Sequence, residues 1–313
     1  MKIAFIGIGT MGSGMAMNLV KKGWDPLIVG HHDRNRLLPF DEAGAHTTLD
    51  PKDAACSECI FLCLPNGNVV RSLLLGEEGL LSQLHSGQII VDCSTIGYRE
   101  AREIGKACAD SGVSYLDAPV SGHREKAEAG TLTIMAGGRE AVFQKVQPLL
   151  CAMGATVLYM GPSGSGQLAK MLNNCVLNIC TAAFCELMPV GVHMGLDPEK
   201  LGEVLTHASG ASNASRMLIP EILKGNFSHG FTMEGAYKDM INLQALISRE
   251  AIPLPTFQGT MQTYQLALQG GEGKAYKGAM IRFYEKLLGV ECRAVNDSKA
   301  KGAVQGAEKK SDD

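Results

Sequence analysis

The sequence predicts an α/β fold in two parts: a doubly wound, mainly parallel sheet over residues 1–163, then an all-helical domain over 164–292. Three observations carry that reading. Short apolar runs alternate with helix-period segments up to about residue 160, a glycine turn joins the first run to the first helix, and strand-like runs cease after Gly161-Pro162-Ser163-Gly164-Ser165-Gly166. Near-continuous apolar strands separated by helices suit a parallel sheet covered on both faces. At 313 residues the chain is also longer than a single core usually grows.

The strand-like runs are 2–7, 27–30, 59–64 (Cys-Ile-Phe-Leu-Cys-Leu), 88–92 (Gln-Ile-Ile-Val-Asp), 113–117, 131–136 and 155–159. Helical candidates between them are 11–22, 50–57, 67–75, 98–110 and 139–152. From Gln167 to about Leu288 only helical periodicity remains, broken by glycine and proline. Asp197-Pro198 opens one helix there, because proline suits the first helical position, and Pro253 and Pro255 separate two others. Residues 293–313 hold almost no bulky apolar side chain. Such a stretch cannot offset its ordering entropy, so a disordered tail is expected.

Apolar residues make up 45% and charged residues 19% of the chain, with a formal net charge of -3. That balance suits a globular core and gives no reason to expect nucleic acid or an anionic membrane as partner. The start Lys2-Ile3-Ala4-Phe5-Ile6-Gly7 runs straight into a glycine turn, unlike a secretory signal. Leu168 to His193 is the longest later apolar stretch, but it carries Lys170, Asn173, Asn174, Asn178 and Glu186, which are costly in lipid. The ten cysteines are scattered singly, as suits a reducing cytosol better than a disulfide framework. Cys56-Ser57-Glu58-Cys59 has no second pair to complete a zinc ribbon and reads as a helix end meeting a strand start. A soluble, cytoplasmic protein without a metal is expected.

Gly7-Ile8-Gly9-Thr10-Met11-Gly12 is a G-x-G-x-x-G between an apolar strand and the helix Met15-Ala16-Met17-Asn18-Leu19-Val20. In that context it marks a Rossmann dinucleotide site. Gly7 makes the tight turn, Gly9 admits a pyrophosphate close to the backbone, and Gly12 permits close helix–strand packing. The helix start, at Thr10 and Met11, offers unpaired N–H groups to the anion. NAD usually needs a carboxylate at the end of the second strand, where this chain has Gly30, followed by His31-His32-Asp33-Arg34. Asp33 either reaches the ribose or caps a helix. His31 and Arg34 suit a 2′-phosphate, which favours NADP over NAD. Leu64-Pro65-Asn66 and the Ser94-Thr95 loop both follow strands, and in open parallel sheets ligands lie beyond the strands' carboxyl ends.

Lys170 and Asn174 lie four apart on a helix and so project from one face. A lysine in an apolar helix either reaches solvent or is desolvated, which brings its pKa toward the range useful for proton transfer. Asn174 either orients that lysine and the substrate or caps a neighbouring helix. Ser121-Gly122, in a loop beyond a strand, offers a hydroxyl and backbone N–H groups to a carboxylate.

Four segments, Gly7–Gly12, Asp117-Ala118-Pro119-Val120-Ser121-Gly122, Gly164-Ser165-Gly166-Gln167-Leu168-Ala169-Lys170-Met171-Leu172-Asn173-Asn174, and Lys238-Asp239, resemble the β-hydroxyacid dehydrogenase family in order and spacing. Its members include 3-hydroxyisobutyrate dehydrogenases and semialdehyde reductases, and the resemblance spans about residues 1–290. It implies an oxidoreductase of the CH–OH type that moves a hydride between NAD(P) and a small anionic β-hydroxy acid or its semialdehyde. It implies Lys170 as general acid and base, Ser121 and Gly122 as the substrate-anion site beside Ser94, and Lys238, supported by Asp239, reaching the cofactor or substrate. Phe231 either walls that site or packs in the core. Many relatives carry a second glycine where this chain has His123-Arg124, so His123 either narrows the pocket or faces solvent. Semialdehyde and glyoxylate-type reductases share the scaffold. So do imine reductases and non-catalytic dinucleotide-binding modules, but those lose the lysine retained here. The family's helical domains assemble into homodimers or homotetramers; the apolar Leu172–Val192 segment fits that and equally fits a monomer's core.

Overall fold

The computed structural model describes residues 1–294, and the chain divides into two compact units meeting between Lys170 and Met171. The first begins with β1 (Ile3–Ile6), α1 (Gly12–Lys21), β2 (Pro26–Val29), α2 (Leu38–Glu42) and β3 (Thr47–Thr48). It continues with β4 (Cys59–Leu62), α3 (Gly67–Leu75), β5 (Ile89–Asp92), α4 (Tyr98–Asp110) and β6 (Ser114–Asp117). β7 (Val120–Ser121), α5 (Arg124–Glu128), β8 (Leu132–Gly137), α6 (Glu140–Met153) and β9 (Gly154–Gly161) complete it.

The strands lie in the order β3-β2-β1-β4-β5-β6-β8-β7, with β9 pairing β8. The first six positions follow the 3-2-1-4-5-6 order of doubly wound dinucleotide folds. β1, β4, β5 and β6 are buried along their whole length, because each has helices on both faces and no side open to water. On one face Phe5 and Phe61 stack 5.9 Å apart, and Phe5, Phe61 and Val91 share a core with Met15, Leu19 and Phe143. On the other, Ile60, Leu62 and Ile90 share one with Val70, Leu74 and Ile104. Each such fully buried side chain contributes about 1.5–3 kcal/mol. Register places Ile6 beside Leu62, Leu62 beside Asp92, and Asp92 beside Asp117. The four loops leaving these strands therefore emerge side by side at one sheet edge.

One local outcome differs from expectation. Residues 50–57 form a 3-10 helix, Pro51–Cys56, capped by Asp50, which accepts from the Lys52 N–H at 2.9 Å. A segment this short before the next strand takes the tighter winding. Cys56 ends it in solvent while Cys59 enters the core, where burial pushes its thiol up to about 12. The sheet is mixed: β8 runs antiparallel to β6, touching it at Asp117 and Gly137, and antiparallel to β7.

The second unit takes up α7 (Ser165–His193), which starts in the first, and adds α8 (Pro198–His207), α9 (Asn213–Lys224), α10 (Met233–Arg249), α11 (Pro255–Gln269) and α12 (Ile281–Leu288). Asp197, Ser212 and Thr232 cap three of these helices through their side chains, and Pro255 opens α11 at a position where no N–H is needed. α7 is long and apolar enough to cross a membrane, with a mean hydropathy of 1.7 in its most apolar window. It nevertheless buries Met171, Cys175, Phe184, Cys185 and Met188 within the protein. Arg293 and Ala294, at the start of the expected tail, are fixed: Arg293 forks onto Glu285 at 2.6 and 3.0 Å, and Ala294 N–H reaches Leu223 C=O. The rest of that tail, 295–313, lies outside the described residues.

Candidate active site

The glycine turn has the shape a dinucleotide requires. Gly7 has φ +103°, and a Cβ there would lie 2.3 Å from the Cys63 carbonyl oxygen. A Cβ on Gly12 would lie 1.9 Å from the Gly7 carbonyl oxygen, so helix and turn pack as closely as glycine allows. A Cβ on Gly9 would meet nothing within 4 Å; the backbone there faces open space. Thr10 is exposed and Met11 half-buried at the start of α1, where unpaired N–H groups point outward. This concave turn, walled by glycines and backed by a helix start, fits a pyrophosphate.

At the end of β2, Gly30 is buried, and a Cβ there would press on Leu37 and Leu49 at 3.0–3.1 Å. A carboxylate in that place would displace the packing beneath it. Asp33 caps the next turn, accepting from the Asn35 N–H at 3.0 Å. His31 lies against His32 with ring centroids 3.6 Å apart. Arg34 is 61% exposed and sits 3.8 Å from Asp41, a surface pair worth little in water.

The loops after β4 and β5 are tied together. Leu64 N–H donates to the Ser94 hydroxyl at 2.9 Å, and Asn66 caps α3 by accepting from Val69 N–H at 3.1 Å. Pro65 and Thr95 are exposed on these loops, whereas Ser94 is buried. Beneath them Asp92 accepts from Ser94 N–H at 2.9 Å and from the Tyr115 hydroxyl at 2.8 Å. Complete burial pushes the Asp92 carboxyl up to about 6 against the pull of those donors.

Two buried side chains then lock α7 to the sheet. Asp117 accepts from Gly164 N–H at 2.7 Å and from Gln167 N–H at 2.9 Å, satisfying orphan donors at the helix start. Burial raises its carboxyl, and these backbone donors oppose that rise. The Gln167 amide donates to Ser94 C=O at 2.7 Å and accepts from Ile96 N–H at 3.1 Å. Lys170, half-buried, follows one turn later. Neither Asp117 nor Gln167 received a role from sequence. The signal available was an acidic residue ending a strand whose chain later returns as a helix start.

Ser121 is not in a loop, as expected, but ends β7, paired with Thr133 of β8. The cause is the return of the chain along β8, which gives the Val120-Ser121 backbone a partner. Gly122 has φ +148°, and a Cβ there would lie 2.6 Å from the Leu132 side chain. His123 is exposed, immediately before α5.

In the helical unit Asn174 donates to Asp239 Oδ2 at 2.9 Å; it binds the side of α10 rather than capping a helix. Asp239 thus serves Asn174, while Lys238 stands exposed beside it. Phe231 is 51% exposed, which removes the core-packing alternative.

A doubly wound sheet with this glycine turn and loop cluster defines the class: a dinucleotide-binding protein of the Rossmann type. Residues 2–161 match the family model described as the NAD binding domain of 6-phosphogluconate dehydrogenase. Residues 164–284 match that described as NAD-binding of NADP-dependent 3-hydroxyisobutyrate dehydrogenase. The chain belongs to the β-hydroxyacid dehydrogenase family. It is 36% identical to 2-(hydroxymethyl)glutarate dehydrogenase of Eubacterium barkeri, over 92% of this chain and 96% of that one. It is 33% identical to 3-hydroxyisobutyrate dehydrogenase of Pseudomonas aeruginosa, over 91% and 97%. The solved Mycobacterium tuberculosis 3-hydroxyisobutyrate dehydrogenase with L-serine superposes with a TM-score of 0.79 at 27% identity, over 90% and 98%. The protein is an NAD(P)-dependent β-hydroxyacid dehydrogenase of the 3-hydroxyisobutyrate type.

Proposed function

We propose that this enzyme acts on molecules of the form HOCH2–CHR–COO⁻, or on the corresponding semialdehyde, with Lys170 transferring the proton. The three compounds named with its relatives share that unit: 2-(hydroxymethyl)glutarate, 3-hydroxyisobutyrate and L-serine. They differ in R, which is a carboxyethyl, methyl or amino group.

The observation that supports Lys170 most directly is its place one turn beyond Gln167, whose amide grips the backbone on both sides of Thr95. Gly7, Gly9, Thr10, Met11 and Gly12 hold the pyrophosphate, and Leu64, Pro65, Asn66 and Thr95 line the remainder of the cofactor. When bound, the nicotinamide supplies a hydride acceptor or donor. In oxidation neutral Lys170 accepts the hydroxyl proton; in reduction its ammonium returns a proton to the forming alkoxide. Ser121 and Gly122 hold the carboxylate, with Ser94 and His123 beside them. Asn174, on the same helix face as Lys170 and steadied by Asp239, orients the substrate. Lys238 and Phe231 complete the cofactor and substrate contacts on the strength of the family resemblance.

NADP is the preferred cofactor on this reading, because Gly30 leaves no carboxylate for a free ribose hydroxyl and His31 and Arg34 stand exposed nearby. The ten unpaired cysteines accord with a cytoplasmic enzyme. Leu172, Val176, Leu187 and Val190 are exposed along α7, and that apolar row favours a homodimer or homotetramer.

The test is spectrophotometric: NADP or NAD with 3-hydroxyisobutyrate, L-serine or 2-(hydroxymethyl)glutarate, read at the reduced-nicotinamide band. Lys170→Ala is expected to lower kcat about 10²–10⁴-fold, the usual worth of acid–base catalysis, and to leave cofactor affinity within twofold. Normal turnover by that variant would refute Lys170 as the acid–base group.

A further inference from the structure

A dehydrogenase of this kind must hold its acid–base group in register with the cofactor, and one buried amide is placed to do so. Gln167 is 1% exposed and turns its backbone N–H and both polar atoms of its side chain toward the sheet. Its backbone N–H donates to Asp117. Its side-chain Nε2 donates to Ser94 C=O at 2.7 Å, and its Oε1 accepts from Ile96 N–H at 3.1 Å. The amide therefore pairs with the two backbone groups flanking Thr95, as a neighbouring strand would, and leaves Thr95 exposed. The Ser94 hydroxyl, held by the same clamp, accepts from Leu64 N–H and extends it to the loop after β4. Lys170 lies three residues beyond Gln167 on α7, which puts both on one side of that helix.

We propose that Gln167 is the positioning residue of this enzyme. By fixing the start of α7 to the Ser94–Ile96 backbone, it sets the place of the Lys170 amine relative to the cofactor-lining loops. Asp117 anchors the same turn axially through helix N–H groups; Gln167 supplies the lateral, side-chain-specific constraint. A catalytic group displaced by about 1 Å can lose on the order of 10²-fold in rate. The inference rests on Lys170 being the acid–base group.

Gln167→Met keeps length and volume and removes both side-chain hydrogen bonds; Gln167→Glu, the second variant, keeps the acceptor for Ile96 N–H. Each is made alone and in the Lys170→Ala background. Turnover is followed with 3-hydroxyisobutyrate, L-serine and 2-(hydroxymethyl)glutarate, and cofactor binding by quenching of protein fluorescence. For either folded single variant, kcat should fall at least tenfold while cofactor Kd and substrate KM change less than threefold. On top of Lys170→Ala, the same substitution should alter the residual rate less than twofold, because the group it positions is gone. An undiminished loss in that background, or Kd rising as much as kcat falls, overturns the proposal. Inactive Lys170→Ala with fully active Gln167 variants overturns this inference alone. Normal turnover by Lys170→Ala overturns the acid–base assignment itself.

Discussion

The proposed preference for NADP rests on single residues at the end of β2. Gly30 occupies the position where a carboxylate would accept the ribose hydroxyl, and the packing of Leu37 and Leu49 against it leaves no room for a larger side chain without rearrangement. Arg34 is held by Asp41 across 3.8 Å, loosely enough to be drawn to a phosphate. Charge-assisted hydrogen bonds are worth about 1.5–3 kcal/mol, so Arg34→Ala should weaken NADP roughly ten- to hundredfold. NAD affinity should stay within twofold. Equal effects on both cofactors, measured by titration, would remove the preference. At this scale the sequence was most legible where backbone geometry rules, as at Gly7, Gly9 and Gly12. It was least legible where the same residue type serves two ends: Asp33 as ribose ligand or cap, Asp239 as partner of Lys238 or of Asn174. Which atom a carboxylate meets depends on elements far away in the chain.

The ends of β5 and β6 carry two carboxylates side by side, Asp92 and Asp117. Complete burial keeps the Asp92 carboxyl near pKa 6 rather than the ordinary 3.8, against the opposing N–H of Ser94 and hydroxyl of Tyr115. The folded chain therefore holds this proton more tightly than the unfolded chain. The resulting stability is fully present below about pH 4 and is lost as pH rises through about 6. Each tenfold change in proton affinity is about 1.4 kcal/mol, so the loss is on the order of 3 kcal/mol. Asp92→Asn keeps an acceptor for Ser94 and never ionises. Its melting temperature should gain on the wild type as pH rises from 4 to 7; a pH-independent offset would contradict this origin. Strand positions and the helices 67–75 and 98–110 were readable from periodicity. The tie between Gln167 and the Ser94–Ile96 backbone was not, because it joins residues more than seventy positions apart.

In the whole molecule, α7 presents an apolar row on its exposed side. Leu172, Val176, Leu187 and Val190 are 46%, 61%, 64% and 47% exposed, and their spacing keeps them on one helix face. Contiguous exposed apolar surface of this kind marks an interaction site, and a second copy of the chain is the expected occupant. Light scattering of the purified protein should give at least twice the 33.3 kDa chain mass. Val176→Glu with Leu187→Glu should bring it toward a single chain. A wild-type mass of one chain would exclude self-association through this face.

Composition, periodicity and the glycine turn sufficed for the class of fold and for a dinucleotide site, and the resemblance carried by four motifs for the family, because each depends on local spacing or on backbone conformations that few residues permit. Folding decided the rest. It gave Ser121 a strand partner in β8, turned Asp239 toward Asn174 and closed Asp117 and Gln167 over the start of α7. Those choices follow from which buried polar groups come within hydrogen-bond reach once distant segments pack, and leaving such groups unpaired costs about 1–3 kcal/mol each.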